Sequence, residues 1–221
     1  MPVVFQQEVV QGIRLCVWQI VESEPELWEN LQLLDADAVS IRQMPLLKRR
    51  VEKLACRQAL AKLLGSNRVS VTYGEVGEPR SSGYFLSFSH GNHYVAVVLS
   101  PSRPVGIDIE LISSRILSLS SRFLSPEEAL HVAHTPEMLT CCWCAKEAIY
   151  KMFSLLPVTF PSGITVDIHE NKGIVKYKNN HETIQIQDIY LQKYIINSMM
   201  IVVGYGWNLW NDRKIQILKV D

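Results

Sequence analysis

The chain has 221 residues, of which 48% are hydrophobic and 20% are charged, and its formal net charge is zero. This length is enough for one large domain or two small ones, and the neutral balance argues against a whole-molecule attraction to nucleic acid. No apolar run approaches the ~20 residues needed to span a bilayer, and residues 1–11 lack the pattern of a signal peptide. We therefore expect a cytoplasmic protein that binds neither nucleic acid nor membranes.

The five cysteines point to the same compartment. Cys141, Cys142 and Cys144 crowd into one predicted helix, where neighbours are poorly placed to form disulfides with one another. Their spacing also lacks the paired C-x-x-C pattern of structural zinc sites. We expect reduced thiols, as is usual for a cytosolic protein.

The first third of the chain predicts a strand followed by two helices. Residues 12–21 are rich in β-branched and aromatic side chains, which favour a strand, and residues 26–34 are typical of a short amphipathic helix. A longer helix is predicted over residues 48–64, because apolar residues recur at helical spacing and Gly65 follows the last of them.

The charge on this longer helix is uneven. One acidic residue, Glu52, stands among six basic ones: Lys48, Arg49, Arg50, Lys53, Arg57 and Lys62. A solvated cationic face is the simpler interpretation. A site for a polyanionic ligand is the alternative, and the residue pattern alone leaves both open.

A short strand at residues 69–73 precedes a predicted hairpin, whose strands cover residues 84–89 and 94–99. We expect the tip of this hairpin to present Ser89 and His90. A lone loop histidine is more often merely exposed than functional, so this pair carries little weight by itself.

The segment PSRP, residues 101–104, is the one convincing linker. We place the domain boundary there, with an N-terminal lobe at residues 1–103 and a C-terminal lobe at residues 104–221.

The segment VGIDIE, residues 105–110, predicts a strand in which Asp108 and Glu110 project to one face. Two carboxylates about 6–7 Å apart along a strand repel one another unless a cation lies between them. Mg²⁺ prefers such oxygen ligands and keeps room for water. Exposed edge strands also carry such pairs without any metal, so both interpretations stay open here.

The helix predicted over residues 135–153 has the clearest start, with Thr135 as its N-cap and a proline in the first helical position. At about 100° per residue, Trp143, Glu147 and Lys151 share one face. The other face is apolar, so we expect the helix to be buried on both sides. Glu147 and Lys151 then form either an ordinary surface pair or part of a charged site.

The remainder of the chain predicts a mostly antiparallel sheet. Its strands are expected at residues 164–168, 173–177, 183–190 and 198–205. We therefore predict an α+β fold with two similar α/β lobes in pseudo-twofold arrangement, each a long helix packed on a mostly antiparallel sheet.

Four short motifs occur in a fixed order. They are Ser89-His90, GIDIE at residues 106–110, RFLS at residues 122–125 and WCAKEAIYK at residues 143–151. This order resembles the 4′-phosphopantetheinyl transferase superfamily, in its two-lobed, surfactin-synthetase-activating branch. The family motifs G-[IV]-D-[IV]-E and [FW]-x-x-K-E-[AS]-x-x-K are met at every position, and the resemblance covers roughly residues 45–205.

The resemblance implies a reaction and a metal site. The phosphopantetheine arm of coenzyme A would move to a serine of an apo acyl or peptidyl carrier protein, releasing adenosine 3′,5′-bisphosphate. Asp108, Glu110 and Glu147 would hold Mg²⁺, with Mn²⁺ as the alternative, and the ion would grip the pyrophosphate of coenzyme A. Glu147 would act as the base for the serine hydroxyl, directly or through a metal-bound water.

The resemblance also implies how coenzyme A is held. Ser89 and His90 would bind the 3′-phosphate and ribose end, and His90 also counts as a catalytic candidate. Two lysines of the last motif, Lys146 and Lys151, would pair with phosphate oxygens, with Lys151 again a catalytic candidate. Basic residues of the predicted helix 48–64 would complete the cradle, and Arg50 and Arg57 are the candidates. A monomer is expected to suffice.

One departure from the family pattern keeps an alternative open. The family commonly has G-K-P upstream of the Ser-His element, whereas this chain has Glu78 between Gly77 and Pro79. An acid there would repel phosphate unless Arg80 compensates or Glu78 points away. A module that binds coenzyme A or a carrier protein without turnover is therefore the second hypothesis, and a Mg²⁺-dependent pyrophosphatase is the third.

Overall fold

The computed structural model describes residues 2–29, 31–154, 156–179 and 182–206. The chain divides into two compact units, Met1–Ser102 and Arg103–Asp221. Both contain helices and antiparallel sheets, which confirms the predicted α+β class. Within the described residues, every helix is too short or too polar to cross a bilayer.

The first unit is built around the long helix that the sequence predicts. In chain order its elements are β1 (Val3–Val10), β2 (Ile13–Gln19), α1 (Glu24–Trp28), β3 (Gln32–Leu33), α2 (Asp35–Arg42), α3 (Leu47–Leu64), β4 (Arg68–Val69), β5 (Thr72–Tyr73), β6 (Pro79–Arg80), β7 (Phe85–Gly91) and β8 (Tyr94–Ser100).

Helix α3 covers one antiparallel sheet of this unit, whose strand order is β1-β2-β8-β7. The helix packs against β2 and β8 and buries Leu54, Ala59 and Leu60 in the core. It ends where predicted, because Gly65 adopts the left-handed conformation (φ 66°) that glycine accepts at low cost.

Three predictions for the first unit are wrong in detail. The helix expected over residues 26–34 ends at Trp28, and the strand expected over residues 69–73 is split between β4 and β5. Ser89 and His90 lie within β7, opposite Ala96 and Val95, and not at the hairpin tip. The tip is Asn92-His93, where both residues have positive φ (46° and 65°), as tight two-residue hairpin turns require.

The second unit begins with the GIDIE strand. Its elements are β9 (Val105–Leu111), a 3₁₀ helix (Ser114–Arg122), α4 (Pro126–His131), α5 (Pro136–Met152), β10 (Ile164–Asp167), β11 (Lys172–Asn179), β12 (Glu182–Ile196) and β13 (Met199–Gly206). The last four strands confirm the predicted antiparallel sheet, whose order is β10-β11-β12-β13-β9.

Helix α5 packs against β9 and β13 and has the predicted start, since the Thr135 side chain accepts a hydrogen bond from the Met138 N–H. Its three cysteines are free and buried, and burial raises the pKa of the Cys142 thiol to about 12.

A close approach between β9 and α5 occurs at Gly106. A Cβ atom there would lie 1.9 Å from the Ala148 carbonyl oxygen, so a side chain cannot be added without moving the helix or the strand. Gly204 of β13 also faces the helix, but its nearest neighbour would be the flexible Met152 Sδ at 3.1 Å. The glycine of the GIDIE motif therefore sets how closely the acidic strand approaches the helix.

We expect Gly106→Ala to destabilise the protein by about 1–3 kcal/mol, because the added methyl group overpacks a rigid backbone contact. Gly204→Ala is the matched control and should cost less, because Met152 can change rotamer. Thermal or urea denaturation of both variants measures the difference. Equal stability of Gly106→Ala and wild type would contradict this account of the strand–helix contact.

Candidate functional site

Strand β9 and helix α5 bring together four of the charged residues singled out from the sequence. Asp108 and Glu110 are two positions apart on β9, and Glu147 and Lys151 are one turn apart on α5. Asp108 is only 4% exposed, whereas Glu110, Glu147 and Lys151 are half-buried. The strand-to-helix contact thus places three carboxylates and one ammonium group in a shared, partly desolvated region.

The carboxylates of this region destabilise one another when ionised. Burial raises the pKa of Glu110 and that of Glu147, and the negative charge of Asp108 raises both further. The Trp143 side chain opposes the shift at Glu110 by a hydrogen bond to its carboxylate, and the charge of Lys151 opposes it at Glu147. Such an arrangement favours a cation among the three carboxylates.

In this structure the nearest cation is Lys151. Its Nζ lies 2.7 Å from Asp108 Oδ1 and 3.0 Å from the Ile107 carbonyl oxygen. In the part of the chain that the structure describes, no three His, Cys, Asp or Glu side chains are gathered closely enough to form a metal centre. The oxygen-only donor set of Asp108, Glu110 and Glu147 fits Mg²⁺ in its chemistry.

A cavity of about 600 Å³ opens beside Glu110. Aromatic rings form one of its walls: Trp143 lies 5.5 Å from Phe123 and 5.9 Å from Phe160 between ring centroids. The 3₁₀ helix contributes apolar residues and two arginines, Arg115 and Arg122, to the rest of the lining. The cavity can therefore receive a partly apolar group attached to whatever the carboxylates hold.

A second cavity, of about 380 Å³, lies in the first unit and includes His90. The Nη1 of Arg49 is 3.1 Å from His90 Nε2, and Glu52 lies within ion-pair distance of both side chains. Lys53 also lines this cavity. Ser89, the other predicted residue, is buried within β7. The cavity gathers two cationic groups and one imidazole beside the Glu52 carboxylate, and these donors suit a phosphate.

Lys146 does not have its expected role as a phosphate ligand. Its side chain is fully buried, and its Nζ donates to Glu128 Oε2 at 2.6 Å and to two backbone carbonyls. An ammonium group has three protons to donate, and all three have acceptors here. Lys146 is therefore part of the core of the second unit.

Arg57 also lacks its expected role in binding coenzyme A, because its side chain is buried as well. Its guanidinium is buried and bonds both Asp37 oxygens, at 2.7 and 2.8 Å. The Arg50 guanidinium is also bonded within the first unit: its Nε donates to the Glu24 carboxylate and its Nη1 donates to the Met44 carbonyl oxygen. Both arginines join helices within the first unit, and neither lines the His90 cavity.

The negative charge of Glu78 is offset by a neighbouring arginine, Arg80. Arg80 donates two hydrogen bonds to Glu78 Oε1, one of them at 2.9 Å from Nε. The Glu78 carboxylate lies over Gly74, within a tight turn closed by a Gly74 N–H bond to the Glu78 carbonyl. The departure from the family pattern is thus matched by a nearby arginine.

Sequence reasoning missed Glu128 and Asp37, the acidic partners of the two buried cations. Glu128 gives a local signal only as the last residue of the capping box that starts α4. Its pairing with a residue 18 positions away has no counterpart in the sequence pattern. Arg49 and Lys53 were visible within the basic stretch, but only the structure separates them from their neighbours.

Comparison with known proteins agrees with these motifs. Residues 104–198 match the model of the 4′-phosphopantetheinyl transferase superfamily. Two relatives, each called 4′-phosphopantetheinyl transferase AcpT, are similar over 167 residues: that of Salmonella typhi is 33% identical and that of Salmonella typhimurium is 32% identical. Each match spans 68% of this chain and 85% of the relative. The chain therefore belongs to the 4′-phosphopantetheinyl transferase superfamily.

Proposed function

We propose that this protein transfers the 4′-phosphopantetheine arm of coenzyme A to a serine of an apo acyl or peptidyl carrier protein. The observation that carries the proposal is the group of Asp108, Glu110, Glu147 and Lys151 on β9 and α5, in a chain of this superfamily. The protein acts in the cytoplasm as a monomer of the two-lobed, surfactin-synthetase-activating type.

The protein's own residues divide the chemistry between them. Glu147 takes the proton of the serine hydroxyl, and the serine oxygen attacks the phosphorus that bears the pantetheine arm. The bond from this phosphorus to the bridging oxygen breaks, and adenosine 3′,5′-bisphosphate leaves with that oxygen. Lys151 pairs with phosphate oxygens, for which its half-buried ammonium group is suited.

Asp108, Glu110 and Glu147 would hold Mg²⁺, or Mn²⁺ in its place. The ion would supply positive charge to the pyrophosphate as the bond breaks. The raised pKa values of Glu110 and Glu147 support this assignment, because a divalent cation relieves the repulsion that raises them.

The nucleotide end of coenzyme A binds at the His90 cavity. Arg49, Lys53 and His90 supply donors for the 3′-phosphate, and Met44, Pro45 and Leu46 supply apolar surface for the nucleoside. The alternative of a binding module without turnover was motivated by Glu78. Arg80 is bonded to Glu78 and offsets its charge, which supports transfer as the proposed function.

We expect the Asp108→Asn and Glu147→Gln variants each to lose at least about 100-fold in transfer rate, because each removes a metal ligand and Glu147 is also the base. Purified protein is incubated with coenzyme A, Mg²⁺ and a panel of apo carrier proteins, and intact-protein mass spectrometry detects the added arm. The proposal fails if wild type modifies no carrier and also shows no Mg²⁺-dependent binding of coenzyme A.

The same Glu147→Gln change should stabilise the metal-free protein at neutral pH. The pKa of Glu147 is raised on folding, so its ionisation costs folded-state stability as pH rises above the ordinary value of 4.5. A neutral glutamine avoids this cost. Thermal denaturation in a chelator should show a higher midpoint, by a few °C at most because solvent screens this partly exposed group. A midpoint below that of wild type would contradict the described electrostatics.

Arg49→Ala and Lys53→Ala should each weaken binding of adenosine 3′,5′-bisphosphate by about tenfold, because each removes a charge-assisted contact to phosphate. Arg50→Ala is the matched control: it is a neighbour on α3 whose guanidinium is bonded to Glu24 and lies off the cavity. Isothermal calorimetry compares the three. An equal loss in all three variants would assign the effect to helix charge and not to this cavity.

A further inference from the structure

The ion pair of Lys146 and Glu128 holds several segments of the second unit in place. The side chains are 0% and 6% exposed, respectively. Besides Glu128, the Lys146 Nζ contacts the Phe123 carbonyl at 2.6 Å and the Pro161 carbonyl at 3.0 Å. One buried ammonium group thereby connects α5 with the end of the 3₁₀ helix and with the loop before β10.

Glu128 extends this network through backbone groups. Its Oε2 accepts from the Ser125 N–H at 2.7 Å, and its Oε1 accepts from the Val166 N–H at 2.8 Å. The pair thus joins α5 to the start of α4 and to β10. Four backbone groups are bonded to these two side chains: the Phe123 and Pro161 carbonyls and the Ser125 and Val166 N–H groups.

The backbone that Lys146 holds carries the aromatic wall of the larger cavity. The Phe123 carbonyl is bonded directly, and its ring packs edge-on against Trp143. The Pro161 carbonyl is bonded next to Phe160, whose ring also contacts Trp143. The cavity that these rings line also includes Glu110, a proposed metal ligand.

We propose that Lys146 and Glu128 are positioning residues for the transfer reaction. Their ion pair fixes the Phe123–Trp143–Phe160 wall relative to Glu110 and to Glu147, the residue that follows Lys146 on α5. Neither side chain contacts substrate, since both are buried. This role rests on the proposed function, because it assigns the cavity beside Glu110 to the reacting end of coenzyme A.

The position of the network predicts which kinetic parameter changes. The nucleotide end of coenzyme A is proposed to bind at the His90 cavity of the first unit, where the pair makes no contribution. Loosening the aromatic wall should therefore lower kcat for transfer and leave the KM for coenzyme A nearly unchanged. Partial unfolding would also lower the apparent kcat without changing KM, so kcat is expressed per folded molecule, with the folded fraction measured by circular dichroism.

The test removes both charges together, because a single change would leave its partner buried and uncompensated. We expect Lys146→Met/Glu128→Gln to lower kcat at least tenfold with less than a twofold change in the KM for coenzyme A. Hydrogen exchange measured by mass spectrometry should accelerate over residues 120–125 and 158–163.

The matched control is Arg57→Met/Asp37→Asn, which removes an equally buried ion pair from the first unit. It should leave exchange over residues 120–125 and 158–163 unchanged. Glu128→Asp keeps both charges, shortens the reach to Lys146, and should lower kcat by a smaller factor, so the test survives if the double variant does not fold.

Three outcomes would overturn the proposal. The first is a kcat within twofold of wild type in the double variant, or in folded Glu128→Asp if the double variant does not fold. The second is an equal loss of kcat in the Arg57→Met/Asp37→Asn control. The third is unchanged hydrogen exchange over both residues 120–125 and residues 158–163. Failure of wild type itself to transfer the arm would instead reject the proposed function. Accelerated exchange confined to these two segments in the double variant would still show that the ion pair holds the aromatic wall in place.

Discussion

The contact between Gly106 of β9 and the Ala148 carbonyl of α5 is the constraint on which the charged region depends. Because no side chain intervenes, the strand lies close enough to the helix for Asp108 to alter the ionisation of Glu147. The same contact leaves Lys151 one turn beyond Glu147, with its ammonium group on Asp108. A larger residue in place of Gly106 would separate these groups even if each of them were retained, so the glycine belongs to the motif for a steric reason.

Like charges that are held together in a partly desolvated region cost folding free energy, and the protein offsets this cost in two ways. Lys151 neutralises Asp108 directly, and Trp143 donates a hydrogen bond to Glu110. At Glu147 the charge of Lys151 opposes the rise in pKa. A divalent cation would compete with Lys151 for Asp108 and would release the ammonium group toward a bound phosphate. In the proposed reaction, metal binding and phosphate binding are therefore expected to assist one another.

Local signals in the sequence predict the elements well where capping and periodicity agree. Helices α3 and α5 and the antiparallel strands of the second unit follow from such signals, and so does the position of the two acidic motifs. The roles of Lys146 and Arg57 do not follow, because their partners Glu128 and Asp37 lie 18 and 20 residues away. The position of His90 within β7 depends on the turn at Asn92-His93. The four residues between the predicted strands, HGNH at residues 90–93, do not indicate which two of them adopt positive φ.

Burial separates the basic residues that stabilise the units from those available to a ligand. Lys146 and Arg57 have no exposed surface, and each is bonded to a buried carboxylate. If a phosphate drew either cation away from its carboxylate, that carboxylate would remain in the core as an uncompensated charge. Lys151 and Arg49 keep exposed fractions of 28% and 57%, so a phosphate can reach both of them from solvent. In the proposed reaction the two lysines of this motif therefore have different roles: Lys146 holds the backbone around the reacting groups in place, and Lys151 exchanges Asp108 for a phosphate oxygen.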